Sequence, residues 1–327
     1  MSARWAEALD TQLDAWKWYR TDRGERELRS FAESVLAKAI DPDQSGLAPE
    51  DLQRATEHMF GDGSFGQSHI NMVASVPGMM WSADPIYVDP EMMPLVHAAL
   101  DQWQPEPLVE TDMLIPVGFL ILPEPVYLTD IRQKRMSVRA FLWGNADVID
   151  DKEETVSPGI ALALFSDTRD DDDYGQSPLV GRGTTLALAH MLPWRFGTSP
   201  AEAINVYYGA FTGIETVQCI LRLVAQTIAV RSQRDAPRQT DRRLARAQFP
   251  ARRITVVTLR RPEGERDKDQ ETSHVEWTRR WLVGGHWRQQ WYPSLGMHRQ
   301  IWISPYVKGP TDKELIVPKA RVFQFVQ

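Results

Sequence analysis

Cysteine is almost absent from this chain, with Cys219 the one example in 327 residues. A lone thiol rules out intrachain disulfides and thiolate metal clusters. Its setting inside the apolar run IETVQCILRLVAQTIAV marks it as a small core residue, because a nucleophilic thiol needs an exposed, electropositive environment. Long uninterrupted hydrophobic runs are missing too. The segment 214–230 is broken by Glu215, Gln218, Arg222 and Gln226, which fits a buried amphipathic helix and excludes a membrane span there. The first residues, MSARWAEALDTQLDAW, are amphipathic and acidic and show no basic-then-apolar leader. The expected localisation is therefore cytoplasmic, with no membrane partner.

Catalytic signatures are equally scarce. HExxH, paired Cys/His spacing, GxSxG, a Walker loop and GxGxxG do not occur. His58, His69, His97, His190 and His274 are isolated, so no metal site and no cofactor is expected. Ser64, Ser68 and Ser75 lie near His69, but proximity along the chain does not make a triad. DPDQSG at 41–46 imitates the start of a calcium-binding loop. It fails at loop position 12, where Leu52 replaces the bidentate Glu, and reads as a capped helix–helix turn. GRGTT at 181–185 lacks the Lys and spacing of a phosphate loop and reads as a turn before a strand. Asp167 and Asp170–Asp173 read as a solvated loop, since consecutive aspartates seldom converge on one ion.

What is present is an ordinary globular composition, 43% hydrophobic and 25% charged, divided unevenly. Residues 1–225 carry 17 Lys and Arg against 34 Asp and Glu, whereas residues 226–327 carry 20 against 10. The net charge of −7 thus hides an acidic scaffold with a basic final third, unless the two sets pair on folding.

The spacing predicts helices over 3–21 and 23–40, a third over 49–60, a Gly/Ser-rich loop at 61–68 and a short helix starting at Pro90. From 112 to 192 the period changes. LIPVGFLILPEPVYL, MSVRAFLWG, GIALALFSD and TTLALAHML are short apolar runs bounded by Pro, Gly or Asp, as buried strands are. A helix over about 213–231 follows, then a basic connector through 253, the strand ITVVTLRR, a polar loop at 262–273 and a last strand RVFQFV. Elements come in blocks without regular βαβ alternation and without an internal repeat. This predicts an α+β fold with a mixed or antiparallel sheet core. The expected organisation is a mainly helical region 1–110, a strand-rich core with a buried helix at 111–232, and a small basic, Trp-rich β module at 233–327.

The residues with most to say are 277–309, WTRRWLVGGHWRQQWYPSLGMHRQIWISPYVKG, which hold five of the twelve tryptophans together with His286 and His298. If 286–292 is extended, His286, Arg288, Gln290 and Tyr292 share one side and Trp287, Gln289 and Trp291 the other, with the tryptophans expected to be buried. In 298–303, His298, Gln300 and Trp302 oppose Arg299, Ile301 and Ile303. Gly284-Gly285 and PSLG supply turns, predicting a small antiparallel sheet whose facial alignment stays open.

Three readings follow. In the first, Arg288, Gln290, Tyr292, Arg299 and Trp302, with Arg242, Arg243 and Arg246 beside them, bind nucleic acid, single-stranded above all, by phosphate contact and base stacking. In the second, His286 and His298 act as general acid and base of an effector enzyme working on nucleic acid or nucleotide. In the third, the Trp/Arg cluster docks a protein partner. A packed aromatic core with guanidiniums stacked over it explains the same composition.

The pattern GHWRxQWYPS followed by HRxIWIxPYxKGP resembles the ending of a family of uncharacterised proteins from actinobacteria, their plasmids and their phages. GFLILPEPV at 118–126 and ITVVTLRR at 254–261 are similar to that family as well, which extends the resemblance over about two thirds of the chain. The resemblance brings no catalytic residue with it. It implies a mobile-element setting, where nucleic-acid handling, toxins and anti-phage or anti-host functions are common.

Overall fold

Trp5, Leu9, Leu13 and Trp16 fall on one helical stripe, and the chain coils there into α1 (Arg4–Tyr19), followed by α2 (Asp22–Ala39). The structure is a computed structural model that describes residues 4–39, 64–130, 135–150, 155–169, 185–200, 211–212, 214–250, 253–259, 279–310, 313 and 315–316. After α3 (Ser64–Ala74) and α4 (Val76–Ser82) comes β1 (Asp84–Val88), then a 3₁₀ turn at Pro90–Met92 and α5 (Met93–Leu100). The long strands β2 (Val117–Asp130), β3 (Arg135–Asp150) and β4 (Thr155–Asp167) lead to β5 (Leu186–Arg195) and the short β6 (Phe211–Thr212). Then come α6 (Ile214–Ala225), β7 (Ala229–Arg234), α7 (Arg238–Arg246) and β8 (Ile254–Leu259).

These strands form one mixed sheet in the order β5-β4-β3-β2-β1-β8-β7, with β6 paired to β2. β1 runs parallel to both β2 and β8, and the remaining pairs are antiparallel. The fold is α+β, as the block pattern predicts, and the sheet draws strands from each of the stretches 1–110, 111–232 and 233–327.

The strands read as continuous apolar runs because both faces of the sheet are buried. On one face Phe119, Ile121, Leu142 and Phe165 pack against Leu13, Trp16 and Leu28 of the first two helices, Met80 of α4 and Leu244 of α7. On the other, Leu120, Leu122, Phe141 and Leu162 meet Val96 of α5 and Val217 and Leu221 of α6. Cys219 is buried in this second layer, as expected, and burial pushes its thiol up. Gly118 stands opposite Trp143 in register, and a Cβ there would collide with the indole. The absent side chain leaves room for the ring, whose Nε1 donates to Ile115 O at 2.9 Å.

Several expectations need correcting. The Gly/Ser-rich stretch is not a loop throughout, because α3 already starts at Ser64. The helix expected over about 213–231 ends at Ala225, and Ala229, the buried first residue of an otherwise largely exposed strand, carries the apolar pattern past that break. The basic connector is structured, holding β7 and α7. Asp167 is not solvated: it is buried against Arg169, whose Nη2 lies 2.5 Å from its Oδ2. That contact and Arg139 hold its carboxyl below the usual range despite its burial. The helix over 49–60, the calcium-loop mimic, Asp170–Asp173, most of GRGTT, the loop 262–273 and RVFQFV lie outside the described residues.

Candidate functional site

The aromatic stretch forms strands where its alternation predicts them. β9 (Arg280–Val283), β12 (Tyr306–Lys308) and β13 (Leu315–Ile316) make a three-stranded sheet, and β10 (His286–Tyr292) pairs with β11 (Met297–Ile303) as an antiparallel hairpin. Register settles which faces align. Trp287, Gln289 and Trp291 pair with Trp302, Gln300 and His298, while His286, Arg288, Gln290 and Tyr292 pair with Ile303, Ile301, Arg299 and Met297. Directly opposed residues share a face, so the ribbon has one tryptophan face and one arginine face.

The base of the tryptophan face is core. Trp302 is 4% exposed and belongs to the layer under α5 and α6. Trp287 meets it edge-on at 5.4 Å, meets Trp103 at 4.7 Å and donates from Nε1 to Ala99 O at 2.8 Å. Gly285 is forced by this packing, as a Cβ there would lie 2.5 Å from the Trp302 ring.

The outer edge of β11 is anchored by polar groups. Gln218, Arg222 and Gln226 recur every four residues, which places them along one side of α6 and the turn that follows it. Gln218 holds the Glu106 peptide by exchanging bonds with its N (3.3 Å) and O (2.5 Å). Arg222 reaches the Glu106 carboxylate at 3.0 Å and Asp112 at 3.1 Å, and Gln226 accepts the Trp302 N–H at 2.7 Å. Arg299 enters from the hairpin, 2.6 Å from Asp112 Oδ1 and 3.1 Å from Thr111 Oγ1. Gln300 donates from its backbone N to Glu106 and from Nε2 to Gln104 O. Burial pushes the Asp112 carboxyl up to about 6 against the pull of Arg299. Two guanidiniums and two carboxylates thus close a buried clamp on the ribbon.

The far end of the hairpin projects beyond this clamp. Trp291 is 47% exposed, contrary to the expectation of burial, and its ring lies 5.0 Å from the exposed His298. On the reverse, Arg288 is exposed and donates to Gln290 at 3.0 Å, with Tyr292 half-buried beyond them. Arg288→Ala and Trp291→Ala are therefore each expected to change unfolding free energy by no more than about 0.5 kcal/mol, the usual range for surface positions. Urea denaturation followed by circular dichroism checks this, and a cost of several kcal/mol would put either side chain in the core.

The sequence-predicted residues divide accordingly. At the projecting end His298 meets Trp291 on one face, while Arg288, Gln290 and Tyr292 lie on the other. Arg299 and Trp302 are buried in the clamp and core. Arg243 pairs with Asp10 and, at 2.8 Å, with Asp14 on α1. Arg242 and Arg246 are exposed on the same helix. That helix packs on the opposite face of the main sheet from the hairpin, so the three do not flank the ribbon. His286 and His298 occupy opposite faces, five register positions apart, roughly 17 Å along the strands. They do not share a proton path. Among the described residues no group of three or more His, Cys, Asp or Glu could hold a metal ion, and no helix is long and apolar enough to cross a membrane.

No family model matches the chain, and no curated protein matches it. Solved structures similar to it include that of AcrVA2, at a TM-score of 0.40 and 12% identity over 93% of this chain and 96% of that one, a likeness too loose to carry fold or function across.

Proposed function

We propose that the protein binds single-stranded nucleic acid through the projecting end of the β10–β11 hairpin, in the mobile-element setting that its C-terminal motif implies. The observation that carries the reading is the exposed Trp291–His298 pair on a ribbon that the clamp holds rigid. Charge supports it: residues 279–310 contain no Asp or Glu and five Arg and Lys. Of these, Arg299 is spent inside the clamp, while Arg279, Arg288 and Lys308 are exposed. Strand-tracking proteins combine such positive charge with aromatic rings, because every base offers a face to stack on and every nucleotide a phosphate to neutralise. The tryptophan and arginine faces lie back to back, so a bound strand would curl around the ribbon edge, stacking on Trp291 while its phosphates reach Arg288.

Fluorescence anisotropy with labelled oligo-dT and oligo-rU tests this. Binding is expected at about 50 mM salt and should weaken steeply towards 200 mM, because condensed counterions released into a saltier solution gain less entropy. Trp291→Ala should cost about 1–3 kcal/mol of affinity, and Arg288→Ala should lower the salt slope by about 1. No binding at the lower salt ends the proposal.

A protein partner is the second reading, favoured by apolar exposure around the same module. Leu282 and Val307 are register partners, both exposed, the adjoining Tyr306 is exposed too, and so is Leu295 in the hairpin turn. Interaction through these side chains would be nearly insensitive to salt, which separates the two readings in the same titration.

A further inference from the structure

On the opposite side of the main sheet from the hairpin, α1 to α4 enclose a cleft of about 780 Å³, a volume usual for small-molecule sites. We propose that this cleft binds a nucleoside monophosphate. The inference is independent of the hairpin reading.

The cleft wall is aromatic. Trp16 is buried, Trp81 stands 5.2 Å from it at a 36° tilt, and Phe249 meets both rings edge-on at 4.9 and 5.6 Å. Phe249 and Trp16 thus fix the angle of Trp81, whose indole is 38% exposed where it lines the cleft. A rigid, partly open indole is a stacking platform for a planar heteroaromatic ring. Two carboxamides line the same space, Asn71 and Gln248. A carboxamide carries both donors and an acceptor, the complement of a base edge, and Gln248, which is exposed, is the one on which the proposal relies. The charged lining residues are Arg20, Glu25 and Arg29, and Arg29 is paired with Glu33 at 3.6 Å. Arg20 already lies over the Trp16 ring at 4.6 Å. Arg20, held beside the aromatic wall, is the cation placed to meet a phosphate joined to a stacked base.

Gln248 provides the second observation. It follows the C-terminus of α7, where Phe249 N bonds Leu244 O at 3.0 Å and Gln248 N bonds Ala245 O at 3.1 Å, the bonding pattern of a glycine-terminated helix end. Its φ is +55, and it is the one non-glycine residue with positive φ among the described residues. Glycine would adopt this geometry at lower cost. Gln248 is exposed and lines the cleft, and a ligand held by its amide would account for a glutamine at a position where glycine costs less. Gly78, on the same wall, has open space where a Cβ would stand, so the cleft is unobstructed at that point.

Isothermal titration of the full chain with AMP, GMP, CMP and UMP, alongside adenosine and inorganic phosphate, decides the matter. At least one mononucleotide is expected to bind more tightly than adenosine or phosphate alone. Trp81→Ala should weaken that binding by about tenfold or more, the lower end of what a stacked base contributes. Gln248→Gly is the diagnostic variant because it relieves the backbone: its melting temperature should be equal or higher while mononucleotide affinity falls. The proposal is overturned if no mononucleotide binds at millimolar concentration, if inorganic phosphate binds as well as the tightest mononucleotide, or if Gln248→Gly binds as the wild type does.

Discussion

Asp112→Ala is expected to lower unfolding free energy by about 3–5 kcal/mol, because it strands the buried Arg299 guanidinium and takes from Arg222 one of its two carboxylates. Arg299 loses its 2.6 Å partner and Arg222 its 3.1 Å one, and both side chains are at most 8% exposed, so water cannot replace the carboxylate without opening the interface. Urea denaturation measures the cost, and limited proteolysis should place the first cuts in the hairpin, since the clamp joins it to α6. Removing all four charges tells a different story. Asp112→Leu with Arg222→Met, Arg299→Met and Glu106→Gln leaves no orphaned ion and should recover most of the loss, as buried ion clusters replaced by apolar groups of similar volume generally do. A loss below about 1 kcal/mol for Asp112→Ala would mean that the guanidiniums find other partners and the clamp is not what holds the ribbon.

The scaffold was legible in the sequence wherever a period was long enough to register. Helical recurrence of Leu9, Leu13 and Trp16 and the apolar runs of β2 to β5 were read correctly, because a two-faced core demands apolar residues at nearly every strand position. Boundaries failed where a pattern ran through a real break, as at Ala225, and where turn-forming residues opened a helix, as at Ser64. The hairpin alternation was legible but its burial was not. Trp287 and Trp291 share a face, and what separates core from surface is the reach of α5, a tertiary fact.

The clamp is the clearest gap. Asp112 and Arg299 are 187 positions apart, and nothing local marks either as the other's partner. One signal was available. Gln218, Arg222 and Gln226 interrupt an apolar helix at intervals of four, and polar residues stacked on one side of a buried helix must meet polar partners. Read that way, the interruptions that exclude a membrane span also point to the anchor of the C-terminal module.

Acid should destabilise the protein well before most carboxylates titrate. Burial pushes His69 down to about 4 and His190 down to about 3, with nearby His69 adding repulsion to the latter. Both values lie below the usual 6.5, so the unfolded chain binds these protons first. The stability they contribute is complete above pH 6.5 and is lost as pH falls through 6.5 towards 4, at about 3 kcal/mol for each imidazole by pH 4. His69 is 3% exposed and neither ring nitrogen has a hydrogen-bond partner. It lines a second cleft, of about 730 Å³, whose one charged lining residue is Asp147 on β3. Asp112 works in the opposite sense: its carboxyl is raised to about 6, so it gains stability as pH falls through that value and offsets part of the loss. Urea midpoints at pH 7, 6, 5 and 4 should fall steadily across the series. His69→Leu removes one titrating group while keeping an apolar side chain in its place, and should flatten the decline by about 3 kcal/mol between pH 7 and 4. A variant whose stability falls as steeply as that of the wild type would show that the proton uptake driving acid unfolding occurs elsewhere in the chain.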